Sequence, residues 1–367
     1  MLKFYNESDL ELLKYTEKVG FLSGLDPFSL KKSEKIAEYE VHAPTEDNIF
    51  LHEAAIIEFK GVLYASWYNC ERHELKGRTP IRGRRSYDCG KTWSDVETVA
   101  DDPSGKILYC PPVYGIDGGK LYMLLNEMVS ADHIHALDLY VLNEKTDRFE
   151  MLWSRPIPFK LNTNVYTLSN GKLMLPGRIA ELDGFPNTPA VLISDSGRID
   201  AEWRLVKIAE NGDLPNGNKL VHPELSAITC GETVYIFSRN DENKVPLLYV
   251  SKNNGESWSS LVSHDIPFSN SKIYSGTLSN GRNYVIGNVY PKRSKLAIFF
   301  TEPRSMTFNK GFLLQDGYSF KGYNDKQWSY PVAYEANGKL YVIYTAGSDL
   351  FGGSRGAVLS IVPIDLT

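Results

Sequence analysis

The sequence has few of the features that mark common functional classes. It holds four cysteines, Cys70, Cys89, Cys110 and Cys230, and no two are spaced as a CxxC pair. That excludes the usual zinc and dithiol motifs, and four reduced thiols are expected. No stretch approaches the ~18 apolar residues of a membrane span. The opening MLKFYNESDLELLKY lacks the apolar run of a signal peptide. There is no HExxH, no P-loop and no GxGxxG following a strand pattern, so no metal and no cofactor is expected. Charge of one sign is also scarce: 40 Lys and Arg against 45 Asp and Glu leave a net charge of −5. A nucleic-acid partner would call for a basic face. Neither nucleic acid nor a membrane is expected as a partner. The expected location is cytoplasmic, or secreted if a signal peptide has been removed.

What is present is ordinary globular composition and one repeat. The 367 residues are 42% hydrophobic and 23% charged, enough for one large domain or two modest ones. Aromatics make up 12%, with 22 tyrosines, which suits sheet cores and sugar-binding faces alike. The repeat is an alternating strand, a tight glycine turn and a second apolar strand. It occurs around Gly61 (IIEFKGVLYASWYN), Gly119, Gly171 (VYTLSNGKLMLPGR), Gly231, Gly281 and Gly338 (VAYEANGKLYVIYT), at intervals of 50 to 60 residues. Each copy reads as a β-hairpin. A third strand follows in every copy: 80–86, 136–142, 190–194, 247–251, 296–301 and 357–362. A weaker fourth follows in most. Four antiparallel strands at this interval predict the blades of a propeller.

The expected fold is therefore all-β: a six-bladed β-propeller with a short N-terminal helical arm. Residues 1–33 are expected to form the arm, with a helix over 8–18. Residues 34–367 are expected to form the propeller. The sixth repeat runs out before its fourth strand, and the alternating segment EKIAEYEVH (34–42) is expected to supply it and close the ring.

Between strands three and four of the first repeat stands SYDCGKTW, Ser86 to Trp93. It fits the Asp-box pattern S-x-D-x-G-x-T-W in full. A second copy, SKNNGESW from Ser251, carries Asn253 in place of Asp, and weaker versions start at Ser194 and Thr301. The Asp side chain of such a box bonds turn amides, so Asp88 is a fold marker rather than a catalytic group. On these boxes the chain resembles the sialidase superfamily of Asp-box (BNR-repeat) propellers over residues 45–365.

Propeller geometry then locates a site. The start of strand one and the end of strand two of every blade converge on one mouth of the channel. Those positions hold His52, Glu53, Tyr68, Asn69, Tyr109, Cys110, Asn126, Glu127, Asn162, Asn164, Arg178, His222, Glu224, Arg239, Asn240, Lys272, Tyr274, Asn288, Tyr330, Tyr344 and Thr345. Such a set suits a polar, hydroxyl-rich ligand. Arg178 and Arg239 end apolar strands, where a guanidinium can pair with a carboxylate. The candidates for substrate contact are Asn69, Asn126, Arg178, His222, Arg239, Tyr274 and Asn288. The candidates for chemistry are His52, Glu74, Glu224 and Tyr330.

The sialidase resemblance implies a tyrosine nucleophile on the sixth blade's first strand, matched by Tyr330, with a Glu partner that Glu224 could supply. Where sialidases open their first strand with Arg-Ile-Pro, this chain reads Leu51-His52-Glu53-Ala54. The fifth blade offers Lys272 and Tyr274 instead of an arginine, and the loop before the first Asp box has Glu71 and Glu74 but no Asp. A histidine in that place is similar to a divergent branch that includes propeller rhamnosyl–glucuronate hydrolases and ulvan lyases. The expected function is an exo-acting glycoside hydrolase on an acidic or deoxy sugar. The alternatives are a polysaccharide lyase on uronate-containing glycans and a non-catalytic glycan-binding propeller. In each case the expected partner is a glycan.

Overall fold

In the computed structural model the described residues are 5–367 without 132, 181–187, 242–244, 290–292, 318–326 and 348–352. The chain is a six-bladed β-propeller, with six sheets, each a blade of four antiparallel strands built in sequence order. It divides into two compact units. One comprises Ser33–Leu161 and Gln315–Leu366 and carries blades one, two and six. The other comprises Met1–Lys32, Asn162–Leu314 and Thr367 and carries blades three, four and five.

Blade one is Phe50–Phe59, Val62–Cys70, Ile81–Ser86 and Glu97–Ala100. In blade two the first strand comes in two pieces, Leu108–Tyr109 and Val113–Asp117, both paired with Lys120–Ser130. His133–Asn143 and Arg148–Arg155 complete it. Blade six is Gln327–Ala336, Lys339–Gly347 and Arg355–Pro363, and Ala37–His42 adds the fourth strand antiparallel to Arg355–Pro363. In the other unit the corresponding hairpins are Tyr166–Thr167 with Leu173–Ile179, Leu225–Cys230 with Thr233–Ser238, and Tyr274–Thr277 with Arg282–Asn288. Every blade turns its first hairpin at the repeat glycine. All six of these glycines have positive φ, between 60° and 84°, a region that L side chains enter only at a cost.

Strand alternation sorts side chains between neighbouring blades. In blade four, Val234 and Ile236 join Met174, Val191 and Ile193 of blade three in one buried cluster. Phe237 joins Val285, Ala297 and Phe299 of blade five in another. Leu247 and Leu248 divide in the same way. One strand thus serves two cores because its period is two.

The helical arm is shorter than its pattern suggests. The helix runs Glu7–Lys14 rather than over 8–18, opened by a capping box between Asn6 and Asp9. Leu12 enters the core shared by blades three and four. Beyond Lys14 the chain leaves helix, and Glu17–Val19 pairs parallel with Val262–His264 as a fifth strand of blade four. Pairing to an open sheet edge outweighs the good helix propensity of Glu17 and Lys18.

The Asp boxes are built as the sequence implies. Asp88 Oδ1 accepts from the amides of Lys91 and Thr92, and Oδ2 from the Thr92 hydroxyl at 2.7 Å. The Gly90 amide donates to Ser86 Oγ at 2.8 Å. In the second box Asn253 Oδ1 accepts from Ser257 N at 3.0 Å, and its amide Nδ2 donates to Ser257 Oγ at 2.9 Å. An Asn therefore reproduces the turn without the charge.

Candidate functional site

Bulges aim the candidate residues. In blade one, His52 pairs with Tyr68 and Ala55 with Ser66, so Glu53 and Ala54 together face Trp67. In blade six, Ser329 pairs with Thr345 and Val332 with Ile343, so Tyr330 and Pro331 together face Tyr344. An extra residue of this kind bends the strand and redirects a side chain. Glu53 and Tyr330 both have positive φ, 47° and 58°. His222, just before the first strand of blade four, has φ 49°. Each such conformation costs a non-glycine residue about 1–3 kcal/mol and clusters at functional sites. Three of them stand at or just before the starts of first strands, at the positions the repeat singles out.

In the unit holding blades one, two and six, His52 and Tyr330 come together. Their ring centroids lie 4.0 Å apart, and His52 Nδ1 is 2.9 Å from the Thr345 hydroxyl. Both residues are buried. Tyr68 donates to Glu74 Oε1 at 2.9 Å, so this candidate carboxylate is held by a phenol. Burial first, and the Glu74 charge second, push the Tyr68 hydroxyl well above its ordinary range and keep it a neutral donor. The Cys110 thiol donates to Glu53 Oε1 at 3.6 Å. Two candidates turn out to serve the backbone. Asn69 donates to the Phe50 carbonyl at 2.8 Å. Asn126 donates to the Phe159 carbonyl and accepts from the Leu161 amide, both at 2.8 Å. Fully buried and satisfied at both ends, Asn126 locks the chain that leaves blade two.

The unit holding blades three, four and five gathers the cations. Arg239 Nη1 donates to Glu224 Oε2 at 2.6 Å, and its other face grips Asp241 through Nε at 2.6 Å and Nη2 at 2.7 Å. His222 Nδ1 lies 3.3 Å from Asp241 Oδ2. Burial pushes the Glu224 carboxyl up, but Arg239, Lys272 and Arg178 outweigh it and hold the group below the usual carboxylate range. Arg178 is 3% exposed, and among the described residues its guanidinium makes no hydrogen bond; Nε is fully enclosed without a partner. Lys272 is buried beside this group. Tyr274 stacks on Tyr284 with centroids 6.2 Å apart, and Asn288 donates to the Lys295 carbonyl at 3.3 Å.

Asp241 is the residue that the sequence pattern missed. It lies two positions after a strand-ending arginine, and that adjacency is the available signal. Among the described residues no group of three or more His, Cys, Asp and Glu side chains is placed to hold a metal, and no helix is long and apolar enough to cross a membrane.

Six meandering sheets, Asp-box turns and bulged first strands that present polar residues define an Asp-box propeller. A family model for the BNR repeat-like domain matches residues 61–342, and the chain belongs to that family. No curated protein matches the sequence. Among solved structures, a protein of unknown function from Dyadobacter fermentans superposes with TM-score 0.70 at 13% identity, covering 90% of this chain and 100% of that one. Trypanosoma rangeli sialidase in complex with sialic acid gives 0.68 at 15% identity, over 92% of this chain and 60% of that one. The NanB sialidase of Streptococcus pneumoniae gives 0.63 at 12%, over 89% and 71%. The chain thus spans about 60% of the trypanosomal sialidase's length. At these identities the likeness is one of fold, a fold used by glycoside hydrolases.

Proposed function

We propose that this protein is a carbohydrate-active enzyme, an exo-acting glycoside hydrolase on an acidic sugar. The observation that carries this is Arg178. A guanidinium buried without a hydrogen-bond partner is costly unless something else pairs with it. Arg239 and Lys272 lie in the same cluster around Glu224. A carboxylate on the ligand would complete that pairing and be bound bidentately. The trypanosomal sialidase with the same fold was crystallised with sialic acid, an acidic sugar.

Glu224 acts through Arg239, which it positions. The ring contact of Tyr330 with His52 favours a second reading, a lyase in which Tyr330 or His52 takes the C5 proton of a uronate.

The test is a panel of fluorogenic sialosides, glucuronides, rhamnosides and fucosides, together with uronate polysaccharides read by ultraviolet absorbance of unsaturated products. Turnover of an acidic glycoside, lost in Arg178→Met, is expected. Unsaturated product would select the lyase. Turnover of neutral glycosides alone, undiminished in Arg178→Met, would refute the acidic-sugar assignment.

A further inference from the structure

The cation cluster contains a histidine–carboxylate pair at its open end. His222 stands just before the first strand of blade four with φ 49°, and its side chain is 47% exposed. Its Nδ1 faces Asp241 Oδ2 at 3.3 Å, while among the described residues Nε2 has no partner. Asp241 is itself fixed, because both its oxygens accept from Arg239 at 2.6 and 2.7 Å. Arg239 is fixed in turn by Glu224. The result is a chain of four groups, Glu224–Arg239–Asp241–His222, that begins beside Arg178 and Lys272 and ends on an open imidazole nitrogen. A carboxylate behind Nδ1 selects the tautomer protonated there and leaves the Nε2 lone pair outward. His52, by contrast, is buried against Tyr330 and Thr345.

We propose that His222, positioned by Asp241, is a catalytic proton-transfer group of this site. This rests on the acidic-sugar reading above. In hydrolysis, Nε2 takes a proton from the attacking water as the water oxygen bonds to the sugar's anomeric carbon. The bond from that carbon to the leaving oxygen breaks, its electron pair stays on the leaving oxygen, and that oxygen takes a proton from solvent. Nε2 then releases its proton to solvent. Arg239 links the two tasks: it stands in the cation cluster with Arg178 and fixes the carboxylate that orients the base. The charged groups that bear on His222 are Asp241 directly, Arg239 and Glu224 behind it, and Lys272 and Arg178 around Glu224.

The test has two arms on the full chain. Long-range proton–nitrogen spectra of protein labelled with nitrogen-15 histidine, assigned with His222→Gln, report the tautomer. A neutral ring protonated on Nδ1 is expected, with that preference lost in Asp241→Asn. Kinetics with 4-methylumbelliferyl sialoside and glucuronide form the second arm. For the glycoside that is turned over, His222→Gln is expected to lower kcat by about 100-fold or more and to remove the acidic limb of the pH profile. An Nε2-protonated tautomer, or an acidic limb that survives in His222→Gln, overturns the proposal. The tautomer decides it alone where neither glycoside is turned over. Free-sugar binding that ignores Arg178→Met would instead sink the acidic-sugar reading and is separable from both results.

Discussion

Arg178→Met should separate function from stability. The guanidinium is 3% exposed and makes no hydrogen bond among the described residues. Its attraction to Glu224 is shared with Arg239 and Lys272, which repel it. Burying an ionised group costs several kcal/mol, and apolar replacement of buried charge is often neutral or stabilising by about 1–4 kcal/mol. Methionine nearly matches the stem and removes both the desolvation cost and the like-charge repulsion. Urea unfolding without ligand, followed by tryptophan fluorescence, should therefore show equal or higher stability. Acidic-sugar binding should collapse, because removing one partner of a buried charge pair costs about 2–5 kcal/mol, which is ~30-fold or more in Kd. Calorimetry with N-acetylneuraminic and glucuronic acids measures it. A variant that loses more than about 1 kcal/mol without ligand would make Arg178 a structural group. Wild-type affinity in the variant would remove it from the site.

Other consequences concern the frame. His42 stacks on Trp67 at 4.9 Å with neither ring nitrogen hydrogen-bonded, and burial first, then Arg84, lowers it to about 4. A depressed histidine is stabilising while neutral, so its contribution is full above the unfolded value near 6.5 and is lost as pH falls toward 4, by about 2 kcal/mol at pH 5. His42→Phe should flatten this part of the acid-stability curve, measured by urea midpoints at pH 7.5 and 5; an unchanged pH dependence would contradict the neutral assignment. Gly90→Ala should destabilise more than Gly61→Ala in thermal melts. Both have φ above 80°, but a Cβ at Gly90 would sit 2.5 Å from Leu359 Cδ2 while Gly61 faces open space; equal losses would mean that the Leu359 contact relaxes freely. Phe237→Ala opens a cavity in the core between blades four and five and should cost about 3–5 kcal/mol by urea unfolding.

The sequence by itself determined the repeat and the blades. Six Gly turns and period-two alternation are local signals, and the third strands fell within a few residues of the expected spans, with Leu247–Ser251 matching in full. The Asp box was legible because every contact it needs lies within eight residues. Tertiary structure decided what lies beyond local range. Glu17–Val19 became a strand because an edge some 245 residues away accepts it. Asn126 became a backbone clamp because Phe159 and Leu161 reach it. The bulges at Glu53 and Tyr330 depend on register against a second strand, which alternation alone does not specify. Most of all, whether an arginine at a strand end is paired or left waiting depends on which charges the blades bring near it. Arg239 and Arg178 look alike in sequence, yet among the described residues one is clamped by two carboxylates and the other by none, because charge pairing is a property of distance in space rather than of position in the chain.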